Sequence, residues 1–432
     1  MLRSTFAAPG GLKITPLDHN SHPCLAPWLA LSVKPNGDVG PDAQYAKSYG
    51  NILTQSLEEI LSGGEFRTLR TEMQQQKFAT ACVNCATKES TLGHSRRIFF
   101  EHTLRRFNLE LPQKNDGEIN LQYLDLNLSN KCNLKCRMCN SVSSTSWLAE
   151  DRELVQKFGS RLNRPEGLRA EKIELQSILK IFSNRELFKN LQYVALRGGE
   201  PLLEAEGIKV LEQLVEWQIA PQVILDISTN GTMVSPQLLK LMSHFKQIDL
   251  YVSVDGAGEL YRYIRGGDKF SIEELERNLL QFRKIPQLTV MFTAAVSIYN
   301  IFKLDELWDW FEKVYQPHDE ITFSNAVVRP AYLNFQILPQ RMKELALQRL
   351  ENSRILEGPH HSGRRLLGDS GKQLIRASLK KEVFSSEKKS LLVSQFCEFN
   401  TELDRMRGTS LLKVVPELTP LFQINEKTIH TP

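Results

Sequence analysis

From about residue 121 the chain alternates two hydrophobic rhythms. Short runs rich in aliphatic and aromatic residues, each closed by a turn signal, occur at LQYLDLNL (121–128), NLQYVALRGG (190–199), QVILDISTNG (222–231), QIDLYVSVDG (247–256), LTVMFTAAVSI (288–298) and EITFSNAVV (320–328). Between them lie segments whose apolar positions recur at helical spacing: LEQLVEWQI (211–219), SPQLLKLMSHF (235–245), IEELERNLLQFRKI (272–285) and LDELWDWFEKV (304–314). The first kind reads as strand and the second as amphipathic helix. Strands that alternate with helices pair in parallel, because a parallel return needs a crossover. The pattern therefore predicts an α/β fold with six βα units across about residues 116–330.

Two regions fall outside this rhythm. Residues 1–115 open with strand-like LALSV (30–34), a Pro-Asn-Gly-Asp turn (35–38) and helical SLEEILSG (56–63), and then reach a Cys-x-x-Cys. Residues 331–432 read as mostly helical and polar, with KKEVFSSEKK (380–389) as a solvated face or loop. Trp308 and Trp310, two apart on one helix, cannot share a face, so one is expected to pack and the other to cap an edge or be exposed. His360 and His361 sit in polar GPHHSGRR and read as a solvated loop.

Composition narrows the class without naming a function. With 432 residues, 41% hydrophobic and 24% charged, the chain has ordinary globular usage and room for two or three domains. Its 54 Lys and Arg against 50 Asp and Glu leave a net charge of +4, too small a surplus to indicate a nucleic-acid or anionic-membrane partner. Seven Cys, an odd number spread through a long chain, are unlike a secreted disulfide scaffold and suit thiols kept for metal. No apolar run reaches the length of a spanning helix, and the N-terminus lacks a signal-peptide pattern, so the expected location is the cytoplasm.

The candidate chemistry gathers at strand ends. Cys132, Cys136 and Cys139 follow the first βα strand on one loop, at the end where barrel active sites form. Soft thiolates suit an iron–sulfur cluster or zinc, and a chance grouping of buried thiols is the bland alternative. A [4Fe–4S] cube takes four ligands, so three thiolates would leave one iron open to an amine and a carboxylate. Arg197-Gly198-Gly199-Glu200-Pro201 closes the second strand, where glycines admit a small molecule to the backbone and Glu200 can accept from an ammonium. Ser228-Thr229-Asn230-Gly231 and Ser253-Val254-Asp255-Gly256 close the third and fourth, with groups suited to ribose hydroxyls and an amino-acid carboxylate. Each alone is a common turn.

Together, in this order, these motifs resemble the core of a radical S-adenosylmethionine enzyme, whose hallmark is Cys-x3-Cys-x2-Cys after the first strand of a partial (β/α)6 TIM-like barrel. The resemblance implies that Cys132, Cys136 and Cys139 hold a [4Fe–4S] cluster whose open iron binds S-adenosylmethionine. It further implies that Gly198, Gly199 and Glu200 receive the methionyl amine, with Ser228, Asn230, Ser253 and Asp255 near its carboxylate or ribose. Reductive cleavage of that cofactor gives a 5′-deoxyadenosyl radical that takes hydrogen from a substrate. Met138 departs from the aromatic residue many members carry there. Tyr261-Arg262-Tyr263-Ile264-Arg265-Gly266 is similar to a segment of peptide-modifying members, with Arg265 either balancing a carboxylate or exposed at a helix start.

Cys24, the hairpin through Asn36-Gly37, Asp42 and then Cys82-Val-Asn-Cys85 resemble the auxiliary-cluster modules called SPASM or twitch, with Asp42 where a second Cys usually stands and with the module ahead of the barrel. That resemblance implies an auxiliary iron–sulfur cluster on Cys24, Cys82, Cys85 and either Asp42 or Cys397. A zinc site and an empty module are the alternatives, and a buried thiol is the simplest reading of Cys397. The organisation expected is an N-terminal α+β auxiliary-cluster domain (1–115), the barrel (116–330) and a helical C-terminal extension (331–432). A peptide or protein side chain is the expected substrate, a small molecule the other possibility, and a flavodoxin or ferredoxin the expected reductant. A non-catalytic iron–sulfur electron carrier or redox sensor is the rival function.

Overall fold

In a computed structural model of the chain, residues 24–42, 45, 47–75, 82, 85, 95, 97, 98, 100, 120–165, 173–265, 270–324, 327, 329–353 and 368–423 are described. His360, His361 and Gly266 lie outside them. The strands are β1 (Ala30–Val33), β2 (Val39–Gly40), β3 (Tyr123–Asn127), β4 (Tyr193–Arg197), β5 (Ile224–Thr229), β6 (Gln247–Ser253), β7 (Leu288–Ala295) and β8 (Glu320–Ser324). They form one sheet in the order β2-β1-β3-β4-β5-β6-β7-β8. All six expected βα strands are present, from β3 to β8, and they lie in sequence order as a partial TIM-like barrel requires. The sheet gains two strands that the six-unit pattern did not include, since β1 pairs in parallel with β3 (Ala30 opposite Tyr123) and carries β2 as an antiparallel hairpin partner.

The chain divides into two compact units, one of residues up to Asn130 with Glu171–Ser228 and Ser235–Asp249, the other of Lys131–Ala170, Thr229–Val234 and everything from Leu250. In the first unit the β1–β2 hairpin turns at Asn36-Gly37, where Gly37 has φ +84° and its N–H bonds Lys34 O at 2.9 Å. The next helix, Leu57–Ser62, starts at a capping box in which Ser56 Oγ accepts from Glu59 N and Glu59 accepts from Ser56 N. Helix Gly64–Gln74 then buries Phe66, Leu69 and Met73, the i, i+3, i+7 stripe of an amphipathic helix.

Parallel strands covered on both faces usually read as unbroken apolar runs. Here Leu124, Leu126, Val194, Leu196, Leu225 and Ile227 are apolar and fully buried, but the alternate positions Asp125 and Asp226 are buried carboxylates. Register places Tyr123 beside Tyr193, and Asp125 and Asp226 on either side of Ala195. The two tyrosine rings stack at 4.8 Å, Tyr193 donates to Asp226 at 2.6 Å, and Arg197 grips both oxygens of Asp226 at 2.6 and 2.7 Å. One face of this part of the sheet is therefore a buried polar network, fixed by bidentate pairing rather than by packing alone.

In the second unit β7 and β8 pair in parallel from Met291–Glu320 to Ala295–Ser324. Helix Leu304–Val314 corrects one expectation, because both Trp308 and Trp310 are buried. Trp308 packs on Phe311 and Phe323 and donates to Glu312, while Trp310 meets Phe292 edge-on and donates to Glu276 at 2.7 Å. Each indole finds an acceptor, which makes burial of both faces affordable. The C-terminal region is mostly helical as expected, with helices Gln340–Asn352, Gly368–Lys380 and Ser386–Arg407. The last is capped by Ser385 at its start and by left-handed Gly408 (φ +63°) at its end. No helix among the described residues is long and apolar enough to cross a membrane.

Candidate functional site

The cysteine loop runs from Lys131 into helix Leu148–Phe158, and almost every polar group on it is held. Ser146 donates to Cys132 O at 2.7 Å, Ser144 to Leu134 O at 2.7 Å, and the indole of Trp147 to Cys136 O at 3.0 Å. Arg164, ion-paired with buried Asp151 at 2.6 Å, donates to Cys139 O at 3.0 Å. Asn230 Nδ2 lies 3.7 Å from Cys132 Sγ and 2.9 Å from Asn133 Oδ1.

Arg137, between the second and third cysteines, is the strongest anchor and was not singled out from the sequence. Its side chain is fully buried, with Nε on Tyr263 O (3.1 Å), Nη1 on Asn400 Oδ1 (3.3 Å) and Nη2 on Asp404 Oδ1 (2.5 Å) and Thr409 Oγ1 (2.8 Å). The guanidinium lies 3.6 Å from the centre of the Tyr263 ring. Trp147 stacks on Phe399 and is faced by Arg164 and Arg407, and Arg407 pairs with Glu150. The C-terminal helix is thus the backing of the cysteine loop rather than an appendage to it.

The thiols themselves are polarised. The hydrogen bond from Cys139 holds Cys136 down at about 7 despite its burial, and the Arg265 cation acts in the same direction; Cys139, as donor to Cys136, is held well above the usual thiol range. Among the described residues no three His, Cys, Asp or Glu side chains converge on one point as a single metal ion requires. A [4Fe–4S] cube asks for a different arrangement, because each thiolate binds its own iron at a separate corner. Three buried or half-buried thiols on one clamped loop have the chemistry that cube needs.

The strand-end motifs take up distinct duties. Gly198 has φ +132°, and a Cβ there would stand 2.6 Å from Ser129 O and 2.9 Å from Asn127 Oδ1, so only glycine fits. Among the described residues that buried Asn127 oxygen has no hydrogen-bond partner, an acceptor suited to an ammonium. Gly199 N donates to Ser129 O, and Glu200, fully buried, accepts from Leu202 N at 3.1 Å. Ser228 accepts from Arg197. Ser253 closes β6 half-buried. Asp255 is already engaged, accepting from Ala295 N at 2.9 Å and from Arg265 at 2.8 Å. Arg265 ends a helix with its side chain only 11% exposed and paired with Asp255, which removes the exposed reading of it.

In the N-terminal region Cys24, Cys82, Cys85 and Asp42 feel one another. Burial pushes the Cys24 thiol far up, and the charges of Cys82, Asp42 and Cys85 push it further. Cys82 is pushed up to about 11 by burial and by Cys85 and Asp42. A half-buried group of three thiols and a carboxylate repels its own ionised form until a cation or cluster neutralises it. Cys397 is buried in helix Ser386–Arg407 with its thiol 3.7 Å from Leu421 O, as the buried-thiol reading has it.

Residues 126–309 match the radical SAM superfamily, and residues 24–86 match SPASM, an iron–sulfur cluster-binding domain. The chain therefore carries a radical SAM domain and, ahead of it in sequence, a SPASM domain that begins on Cys24 and ends just beyond Cys85. The two domains imply a [4Fe–4S] cluster, S-adenosylmethionine and auxiliary iron–sulfur ligation. The radical SAM cyclopropyl synthase TigE of Paramaledivibacter caminithermalis is 28% identical over 184 residues, 41% of this chain and 35% of that protein. The mycofactocin maturase MftC of Mycolicibacterium smegmatis is 25% identical over 180 residues, 41% of this chain and 38% of that protein. The matched region thus spans little more than a third of the length of these relatives. Among solved structures, Streptococcus suis SuiB bound to precursor peptide SuiA aligns over 85% of this chain and 78% of that one, at 13% identity and TM-score 0.35.

Proposed function

We propose that this chain is a radical S-adenosylmethionine enzyme that modifies a side chain of a peptide or protein. The observation that carries the reading is the clamped three-cysteine loop directly after β3, held at Cys132 O, Cys136 O and Cys139 O by Ser146, Trp147 and Arg164. When bound, the cluster and S-adenosylmethionine supply one-electron cleavage of a C–S bond and hence a carbon radical able to take hydrogen from an unactivated C–H. The protein's part is to hold and to exclude. Cys132, Cys136 and Cys139 ligate; Gly198, Gly199 and Glu200 receive the methionyl amine, with the Asn127 oxygen as a further acceptor; Ser228, Asn230, Ser253 and Asp255 shape the ribose and carboxylate surroundings. The buried side chains around the loop keep water and stray hydrogen donors away.

Cys24, Cys82, Cys85 and Asp42 hold the auxiliary cluster in this reading. The peptide substrate is supported by the names of the relatives, a cyclopropyl synthase and a maturase, and by the SPASM domain itself. A flavodoxin or ferredoxin in the cytoplasm supplies the electron. The test is anaerobic: reconstitute with iron and sulfide, reduce, add S-adenosylmethionine and quantify 5′-deoxyadenosine for wild type and Cys136→Ala. Product from wild type alone supports the reading, and co-expression with short peptides encoded beside the gene, followed by mass spectrometry, then tests the substrate. A reduced, fully loaded wild-type cluster that neither binds nor cleaves S-adenosylmethionine would leave an electron carrier in its place.

A further inference from the structure

The last carbonyls of a helix have no intrahelical partner, and they form the negative end of its dipole. In helix Gly258–Arg265 the cysteine loop takes three of them in succession. Arg137 Nε bonds Tyr263 O at 3.1 Å, Arg137 N bonds Ile264 O at 2.7 Å, and Cys136 Sγ bonds Arg265 O at 3.3 Å. The second cysteine therefore sits on the negative pole of this helix. A thiol accommodates that position by donating its proton. A thiolate on iron has lost the proton and faces the carbonyl oxygen directly, so a positive charge close by is needed to offset the repulsion.

The Arg265 side chain is that charge. It is 11% exposed, and its Nη1 donates to Asp255 Oδ2 at 2.8 Å. Asp255 is itself fixed, its other oxygen accepting from Ala295 N and its backbone carbonyl from Asn300 at 2.9 Å. Arg265 Nε is buried and has no acceptor among the described residues, a donor left over beside the cysteine loop. The residue that carries it is the one whose carbonyl lies 3.3 Å from Cys136 Sγ. Arg407, the cation over Trp147, is already neutralised by Glu150, which it grips with Nη2 at 2.6 Å.

We propose that Arg265 is a positioning residue that sets the reduction potential of the cluster held by Cys132, Cys136 and Cys139, its guanidinium offsetting the helix pole on which Cys136 rests while Asp255 limits how much positive charge the cluster feels. This rests on those three cysteines being cluster ligands. Adding one electron takes a [4Fe–4S] cluster from its 2+ to its 1+ core, and the more negative reduced form is favoured by a cation nearby. Removing Arg265 then lowers the potential, and removing the charge of Asp255 raises it.

The test is a redox titration of the full chain, reconstituted anaerobically and reduced with titanium(III) citrate, following by electron paramagnetic resonance the signal that changes when S-adenosylmethionine is added. Arg265→Gln is expected to shift the midpoint to more negative values. Arg265→Lys, which keeps the charge, returns most of that shift, and Asp255→Asn moves the midpoint the opposite way. A purely structural role predicts lower cluster occupancy in all three variants with the loaded fraction titrating as wild type, and that result overturns the proposal. Shifts of one sign in Arg265→Gln and Asp255→Asn overturn it equally. A wild-type chain with no signal responsive to S-adenosylmethionine would remove the cluster assignment on which the proposal rests.

Discussion

Arg137→Met is the sharpest perturbation of the cysteine loop, because methionine keeps most of the apolar bulk and deletes every side-chain donor. The structure gives the cost. Removing one partner of a buried ion pair typically costs about 3–5 kcal/mol, since the other is left uncompensated. Asp404 is 16% exposed and keeps Tyr263 Oη at 3.0 Å, Thr409 Oγ1 at 2.7 Å and Leu411 N at 2.6 Å, which places it at the lower end. Asn400 Oδ1 likewise keeps the Tyr299 hydroxyl at 2.8 Å. We therefore expect Arg137→Met to lose about 3 kcal/mol, a large share of the roughly 5–15 kcal/mol that holds a domain folded. The assay is urea denaturation followed by tryptophan fluorescence, run with Asp404→Asn and the double variant. Contacting partners in one network should show a coupling energy of about 1–3 kcal/mol. Lys47→Ala, which breaks the exposed pair with Glu65 and a distant contact over the Tyr49 ring, should stay within about 0.5 kcal/mol of wild type. A loss below about 1 kcal/mol for Arg137→Met, or strict additivity with Asp404→Asn, would refute the claim that this pair clamps the loop.

Gly198→Ala should destabilise by about 1–3 kcal/mol and weaken S-adenosylmethionine binding, because the new Cβ meets backbone at Ser129 O and φ is +132°; thermal melting and equilibrium dialysis measure the two effects. Burial pushes the Glu150 carboxyl up, but Arg407 and Lys135 outweigh it and hold the group below its ordinary 4.5. Its stabilising contribution is therefore complete above about pH 4.5 and fades as pH falls through the lower folded value. Glu150→Gln should accordingly melt lower than wild type at neutral pH, with the gap closing on acidification, and a gap that is constant from pH 7 to 3.5 would contradict this. Cys82→Ala should reduce the iron and sulfide content of the reconstituted chain while leaving the signal that responds to S-adenosylmethionine in place. Loss of that signal together with the iron would show that the N-terminal thiols do not hold a separate cluster.

The six βα strands were legible because local pattern determines them: all are aliphatic runs of strand length, and three of them end in Gly-Gly, Asn-Gly or Asp-Gly. The polar face of β3 lies in the alternation Tyr123, Asp125, Asn127, but the aliphatic residues between them make the segment read as a hydrophobic run. The pairing of β1 with β3 was not legible, because some ninety residues separate Ala30 from Tyr123 and a four-residue strand does not advertise its neighbour. Arg137 read as a spacer between two cysteines, and only its partners at Asn400, Asp404 and Thr409 reveal its role. Arg265 stood open between surface and site until Asp255, ten residues earlier, was seen to hold it. The error over Trp308 and Trp310 came from assuming one buried face for a helix that is covered on both, with Glu312 and Glu276 to satisfy the indoles.

The contact between Arg137 and Asp404 spans 267 positions of sequence. At a synthesis rate of about 5–20 residues per second, the clamp's second half reaches the ribosome exit roughly 15–50 s after the first. Throughout that interval the nascent chain displays three thiols on a loop whose backing does not yet exist. If those thiols ligate a cluster as proposed, its insertion into the shaped loop follows translation, and their exposure to oxidants is set by translation speed as much as by the fold. Slowing translation between the cysteine loop and helix Ser386–Arg407 should lower the yield of loadable protein without altering a single residue.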